Sequence, residues 1–368
     1  VGARLLEAGR GAAEVVLIAR GAHGSALRER GLRLRVVSVD GPAAVVEAGP
    51  GAAEVYSSIE EAVQQKAKPV DFVVLGVKTW QVREAAAEAK RLLSEKGCVV
   101  TTQNGVEAPL QAAEAVGSDR VLAGVAKVLS FIAEPGVVEM KEKPASLHFG
   151  EAFTTGGRSI TVSDGPAAVR SARADWLAAA LGKCNGIDSG VASKSMWSVI
   201  WEKAVIMCCM GPIGALTRAP LDKLCGIPET RCLFEKAMVE VGACAAKAGH
   251  LSPEDTPGEL AARTLRMLEA QGVQQPGITP STLRDVVVGR PSEINELTGG
   301  IVRSGRALGV PTPTHDLILA ALLPQELRAR GEQPYQLNGV PGGAPHVGAA
   351  GGSGCETGAA SLSQRSHM

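Results

Sequence analysis

Short apolar runs rich in β-branched residues alternate with helix-patterned stretches through the first half of the chain. The runs fall at 14–19, 32–37, 43–47, 70–77 and 98–102, and polar or turn residues close most of them, which is how buried strands read. Helices are predicted at 1–8, 23–30, 57–64 and 82–93, and another ends near Val116. Further strands are predicted at 121–125, 128–132, 137–140 and 146–150. This alternation predicts an α/β domain built on a parallel, doubly wound sheet. Such sheets collect ligands at the carboxyl ends of their strands. Arg20, Lys78 and Asn104 each stand at such an end.

From about residue 164 the pattern changes. A helix is predicted at 166–181 and a short extended piece at 184–188. After that nearly everything reads as helix, in segments at 194–210, 221–224, 228–248, 257–271, 281–288, 292–308 and 314–330. Pro228 at a helix start and Gly249 after its end follow the usual asymmetry. The chain therefore divides into an α/β domain at 1–190, a helical domain at 191–331 and a glycine- and serine-rich tail at 332–368. The tail is predicted to be disordered, and its His346 and Cys355 show no ligand spacing.

The segment from Met196 to Met210 is apolar nearly all round, so it predicts a buried helix. Lys203 lies in its middle. One reading is a lysine that snorkels to the surface beside Glu202. The other is a lysine kept partly out of water for chemistry. A dinucleotide-binding half should also open with a strand and a glycine-rich turn. No G-x-G-x-x-G joins a strand to a helix in the first half, and the sequence starts inside what reads as the first helix. The first strand and its phosphate loop are therefore expected to be missing.

Composition narrows the partners. Lysine plus arginine and aspartate plus glutamate both number 38, so net charge gives no pull towards nucleic acid or an acidic membrane. No apolar run appears long enough for a membrane span, and no secretory signal is visible. A cytoplasmic location is expected, with organellar targeting left open because the chain begins on Val1. The eight cysteines are scattered, with no CxxC pair and no Cys/His cluster. They read as reduced core thiols, and no metal site is expected.

Each candidate residue has a plainer alternative. Arg20 closes a strand where arginine favours the 2′-phosphate of NADP, or it is a surface arginine in a loop. Lys78, Trp80 and Gln81 follow a strand, or they open a helix. Asn104 lies in Gln-Asn-Gly, which by itself is a turn. Ser281 and Glu293 each sit at a helix start, where capping and the helix dipole would explain them. His148 alternates within a strand and reads as structural.

Several segments carry a resemblance when taken in order. They are Val16-Leu17-Ile18-Ala19-Arg20-Gly21, Gly76-Val77-Lys78-Thr79-Trp80-Gln81, Gln103-Asn104-Gly105-Val106-Glu107 and Trp201-Glu202-Lys203. Arg218-Ala219-Pro220, Ser281 with Asp285, Gly289-Arg290-Pro291-Ser292-Glu293 and Gly309-Val310-Pro311-Thr312-Pro313 follow. Over roughly residues 1–330 the chain resembles the ketopantoate reductase (2-dehydropantoate 2-reductase) family, in a divergent branch. The resemblance implies a Rossmann-like NADP-binding domain followed by an all-α domain. It implies NADPH-dependent reduction of 2-dehydropantoate to pantoate, on the way to pantothenate and coenzyme A. Lys203 would be the general acid, and Glu293 would engage the substrate hydroxyl and help place the lysine. Ser281 would hold the substrate carboxylate. Asn104 would line both substrate and cofactor, with Lys78 and Gln81 on the cofactor side and Arg20 at the 2′-phosphate.

The chain departs from the family at three positions where amides are expected. They carry Met207, Gly211 and Ile278. Another 2-keto acid or carbonyl compound is therefore an alternative substrate. A non-catalytic homologue unable to bind nucleotide is the alternative of a different class. The expected partners are a small 2-keto acid and a second copy of the chain as a candidate homodimer, with no nucleic acid and no membrane.

Overall fold

A computed structural model describes residues 1–335 except 10, 38–42, 66, 142–144, 154–169 and 253. His346, Cys355 and the predicted disorder of 336–368 lie outside the described residues. The first half contains α1 (Gly2–Ala8), β1 (Val16–Ile18), α2 (Gly21–Arg30), β2 (Leu32–Val37), β3 (Ala44–Ala48) and β4 (Glu54–Tyr56). It continues with α3 (Ile59–Gln64), β5 (Val70–Val74), α4 (Val82–Ala89), β6 (Leu93–Thr101), α5 (Ala108–Val116) and β7 (Val121–Lys127). It closes with β8 (Ser130–Glu134), β9 (Val137–Lys141), β10 (Ser146–Glu151), α6 (Ala172–Gly182) and β11 (Asp188–Val191).

The expected order of an α/β half followed by a helical half is observed, but the strands do not form one parallel sheet. Among the described residues, five strands run in the order β11-β10-β7-β6-β5, four in the order β3-β2-β9-β8, and β1 pairs only with β4. The β8–β9 hairpin explains much of this. It leaves the central sheet, and β9 pairs in parallel with β2 instead. The chain then returns along β10, antiparallel to β7. In the doubly wound order, strand 1 lies between strands 2 and 4. Here β1 and β5 take the places of strands 2 and 4, and no described strand lies between them. Ile18 and Val74 on these two strands are exposed.

The helix predicted at 82–93 ends early. Leu93 already pairs with Val70, so 93–97 is extended rather than helical. Gly97 permits this, because a Cβ there would stand 2.7 Å from the Val70 carbonyl oxygen.

The second half is α7 (Met196–Thr217), α8 (Leu221–Gly226), α9 (Pro228–Lys247), α10 (Pro257–Gln274), α11 (Ser281–Val287), α12 (Ile294–Leu308) and α13 (Pro313–Arg330). Sequence periodicity stops the buried helix at Met210, yet α7 runs on through Pro212 to Thr217. Proline removes one backbone hydrogen bond, but Cys208, Cys209, Gly211, Ile213 and Ala215 are all buried around it, and that packing offsets the loss. Arg218, in the left-handed region at φ 55°, ends the helix before Pro220. By length and apolar content α7 could cross a membrane, contrary to the sequence expectation that no run is long enough. It is instead the central helix of the core, packed against α9, α11, α12, α13 and β7.

Candidate active site

Lys203 stands half-buried on α7, where the helix passes the end of β7. Its Nζ donates to the Ala126 carbonyl oxygen at 2.7 Å. Burial above all, with a smaller contribution from the adjacent Lys127, brings its pKa down to about 8 against the opposing charge of Glu293. The snorkelling alternative does not fit. Glu202 pairs with Lys194, and Lys203 points inward to a strand.

Glu293 is buried in the loop before α12, and its Oε1 accepts two hydrogen bonds from Thr79. The Thr79 N–H donates at 2.9 Å and its hydroxyl at 2.7 Å. The same hydroxyl lies 3.3 Å from the Asn104 carbonyl oxygen. Thr79 was not singled out by sequence reasoning. It lies between the flagged Lys78 and Trp80, in the short turn 79–81 that follows β5.

Lys78 bonds to Asp285 Oδ2 at 2.8 Å and lies 4.0 Å from Glu293 Oε2. It therefore meets carboxylates of the helical half rather than standing alone on the cofactor side. Asn104 is half-buried, and its side-chain amide forms no hydrogen bond among the described residues. Gly105 follows at φ 85°, which an L side chain would resist, so the predicted turn is real. Gln103 fixes the loop from behind through its Nε2 to the Leu75 and Val77 carbonyl oxygens at 2.7 and 3.1 Å. Gln81 is half-buried at the end of the 79–81 turn.

Lys203, Glu293, Lys78 and Asn104 are thus brought to one junction between the halves, and Arg303 clamps its edge. Arg303 donates to both carboxylate oxygens of Glu107 at 2.8 and 2.7 Å. Ser281 and Arg20 form no bond to this group. Ser281 is exposed at the first position of α11, behind Pro280. Its neighbour Thr282 is buried and faces α7. A Cβ on Gly211 would stand 2.8 Å from Thr282 Oγ1 and 3.2 Å from Thr282 Cβ. Thr282 therefore fills the space that a longer side chain at 211 would need. Met207 and Ile278 pack, half-buried, against the same apolar core.

Arg20 caps the start of α2 from the end of β1, exposed, with extended backbone and no side-chain cap on the helix. A guanidinium with no bond among the described residues, beside uncapped helix N–H groups, suits a phosphate. That donor set fits the adenosine end of a dinucleotide phosphate, and the free Asn104 amide fits a ligand at the nicotinamide end. Among the described residues no glycine-rich turn offers a pyrophosphate cradle.

Two domain models described as ketopantoate reductase PanE/ApbA match the chain, one over residues 1–153 and its C-terminal partner over 195–326. A 2-dehydropantoate 2-reductase of Mesorhizobium japonicum is 28% identical over 338 residues, covering 86% of this chain and 91% of that protein. One from Halobacterium salinarum is 28% identical, covering 79% and 84%. Among solved structures, a PanE/ApbA family ketopantoate reductase of Ralstonia eutropha superposes with a TM-score of 0.69 at 25% identity, covering 89% of this chain and 95% of that one. A D-mandelate dehydrogenase bound to NADH and anilino(oxo)acetate shares the fold, with a TM-score of 0.70 at 19% identity.

Proposed function

We propose that this chain, which belongs to the ketopantoate reductase family, is an oxidoreductase that reduces the ketone of a 2-oxo acid with NADPH, 2-dehydropantoate being the first substrate to test. The observation that carries this reading is Lys203, half-buried and aimed at the junction, with a pKa near 8. When bound, the reduced nicotinamide supplies the hydride, and that chemistry belongs to the cofactor. The chain's own task is to handle a proton and a charge. As the ketone oxygen gains charge, the Lys203 ammonium gives it a proton, and the now neutral amine is tolerated because burial already disfavours its charge. Glu293, held at Oε1 by Thr79, presents its other oxygen, Oε2, towards Lys78 and the junction, where it can accept from a substrate hydroxyl and keep the lysine charged between turnovers. Arg20 and the α2 N-terminus would take the 2′-phosphate, and Asn104 would face the nicotinamide end. Ser281 would meet the substrate carboxylate from α11.

The test is NADPH oxidation by the purified full chain across a panel of 2-oxo acids. Turnover should appear with 2-dehydropantoate, and Lys203→Ala should cost roughly 10²–10⁴ in rate, the usual worth of a placed acid. An inert wild type across the whole panel defeats the proposal. Inertness together with an absence of saturable NADPH binding would support the non-catalytic reading.

A second reading has its own observation. Met207, Ile278 and the Gly211–Thr282 contact replace amide donors with apolar or filled space. This favours a 2-oxo acid with an apolar side chain over the hydroxyl-bearing 2-dehydropantoate. A higher kcat/KM for 2-oxoisovalerate than for 2-dehydropantoate would select it.

A further inference from the structure

The carboxylate of Glu293 is held from in front by Thr79, and the backbone that carries it is held from behind. Ser292 is wholly buried, and its N–H donates to both carboxylate oxygens of Glu326 at 3.1 and 3.0 Å. Its hydroxyl also donates to Glu326 Oε2. Arg330 completes the group. Its Nε donates to Glu326 Oε1 at 2.7 Å, its Nη1 and Nη2 to Glu296 at 3.1 and 2.7 Å, and its Nη2 reaches the Ser292 carbonyl oxygen at 3.4 Å. The side chains of Arg330, Glu326 and Glu296 are 9%, 1% and 7% exposed.

The other side of Arg330 turns to the α/β half. Its guanidinium carbon lies 5.1 Å from the centroid of the Trp80 ring. Trp80 directly follows Thr79, which binds Glu293. The connections therefore close a ring that runs from Glu293 through Ser292, Glu326, Arg330, Trp80 and Thr79 and back to Glu293. A buried ion cluster of this kind is a weak source of stability, because desolvation offsets most of its attraction. A single geometry for the groups it touches is what it can supply.

We infer that Arg330, acting through Glu326 and Trp80, is a positioning residue that aims Glu293 at Lys203 across the two halves. The inference rests on the reading of Lys203 and Glu293 as the acid and its partner, and its test does not need turnover. The charges that act on Lys203 are those of Glu293 in the loop before α12 and Lys127 on β7. Among these groups only Glu293 is touched by the ring, so its displacement should register on Lys203.

The experiment is competitive acylation of the full chain across pH, with the Lys203 peptide quantified by mass spectrometry. Arg330→Met and Glu293→Gln should each lower the Lys203 midpoint by about half a pH unit or more, since the ammonium loses an opposing charge. The double variant should show no further fall, because both changes act at one point. Trp80→Leu, at a partly exposed position, should move the midpoint the same way by less. In the active enzyme the Arg330 and Trp80 variants should lower kcat while KM changes less than about threefold. A wild-type midpoint in Trp80→Leu and in Arg330→Met or Arg330→Lys, whichever folds, overturns the inference. So does a further fall in the double variant. An enzyme inert towards every 2-oxo acid, with midpoints that move as stated, would count against the reaction and leave the positioning role standing.

Discussion

At the junction between the halves, Lys203 donates to the Ala126 carbonyl oxygen and Glu293 accepts from Thr79, at 2.7–2.9 Å. At the start of α2, Arg20 is exposed and the helix N-terminus has no side-chain cap. The two regions handle charge under different conditions. A proton donor works best in fixed geometry away from water, where each interaction counts for more. A phosphate that arrives from water needs donors not already committed to the protein. Under the proposed reaction, the chain uses its hydrogen bonds at the junction and, among the described residues, leaves them open at Arg20.

The sharpest way to break that comparison is Glu293→Gln. It keeps most of the shape and removes the charge, and kcat should fall roughly 100-fold, within the usual range for acid–base partners. The wild-type pH profile of kcat should decline as pH rises through about 8, where Lys203 loses its proton. The variant's decline should begin at lower pH, because Glu293 is what raises the lysine's affinity for that proton. An unmoved profile would uncouple the pair.

Arg20→Glu tests the open side. NADPH binding followed by nucleotide fluorescence should weaken about tenfold or more, the worth of one charge-assisted bond, while NADH binding changes little. Equal losses for both nucleotides would remove Arg20 from the 2′-phosphate.

The smallest expected effect lies within the helical half, where α7 meets α11. Gly211→Asn should destabilise the fold by roughly 1–3 kcal/mol in urea unfolding, because the new Cβ meets a stiff threonine. Adding Thr282→Ala should recover most of that loss. A neutral Gly211→Asn would mean that α11 moves away easily, and that Thr282 does not fix the pocket wall.

Much of the junction was legible in the sequence because its key residues interrupt a pattern. Lys203 breaks an apolar helix, and Lys78 and Asn104 end apolar strands. Arg20 was read in the same way, but it forms no bond to that group and stands at a separate two-stranded sheet. That separation follows from the strand that was expected to be missing, since no described strand lies between β1 and β5; what no local pattern shows is that β9 takes β2 as a partner, a pairing between residues about 100 positions apart. Glu326 and Arg330 were hidden for another reason. Charges near a helix C-terminus look like a solvated end, and only the packing of α13 against α12 shows that Glu326 is buried and the Arg330 side chain nearly so. Ser281 and Thr282 show the limit of motif reading, since one residue's difference in helical phase leaves the first exposed and turns the second towards α7.

The continuity of α7 through Pro212 also has an evolutionary consequence. Because this one helix carries Lys203, the proposed proton donor, and also packs the core on most of its faces, a substitution on it would change chemistry and stability together. Residues that face it from elsewhere, such as Thr282 and Ile278, carry no such double burden. A change of substrate in this lineage is therefore most accessible through the partners of α7, with the helix itself as the fixed axis about which the pocket diversifies.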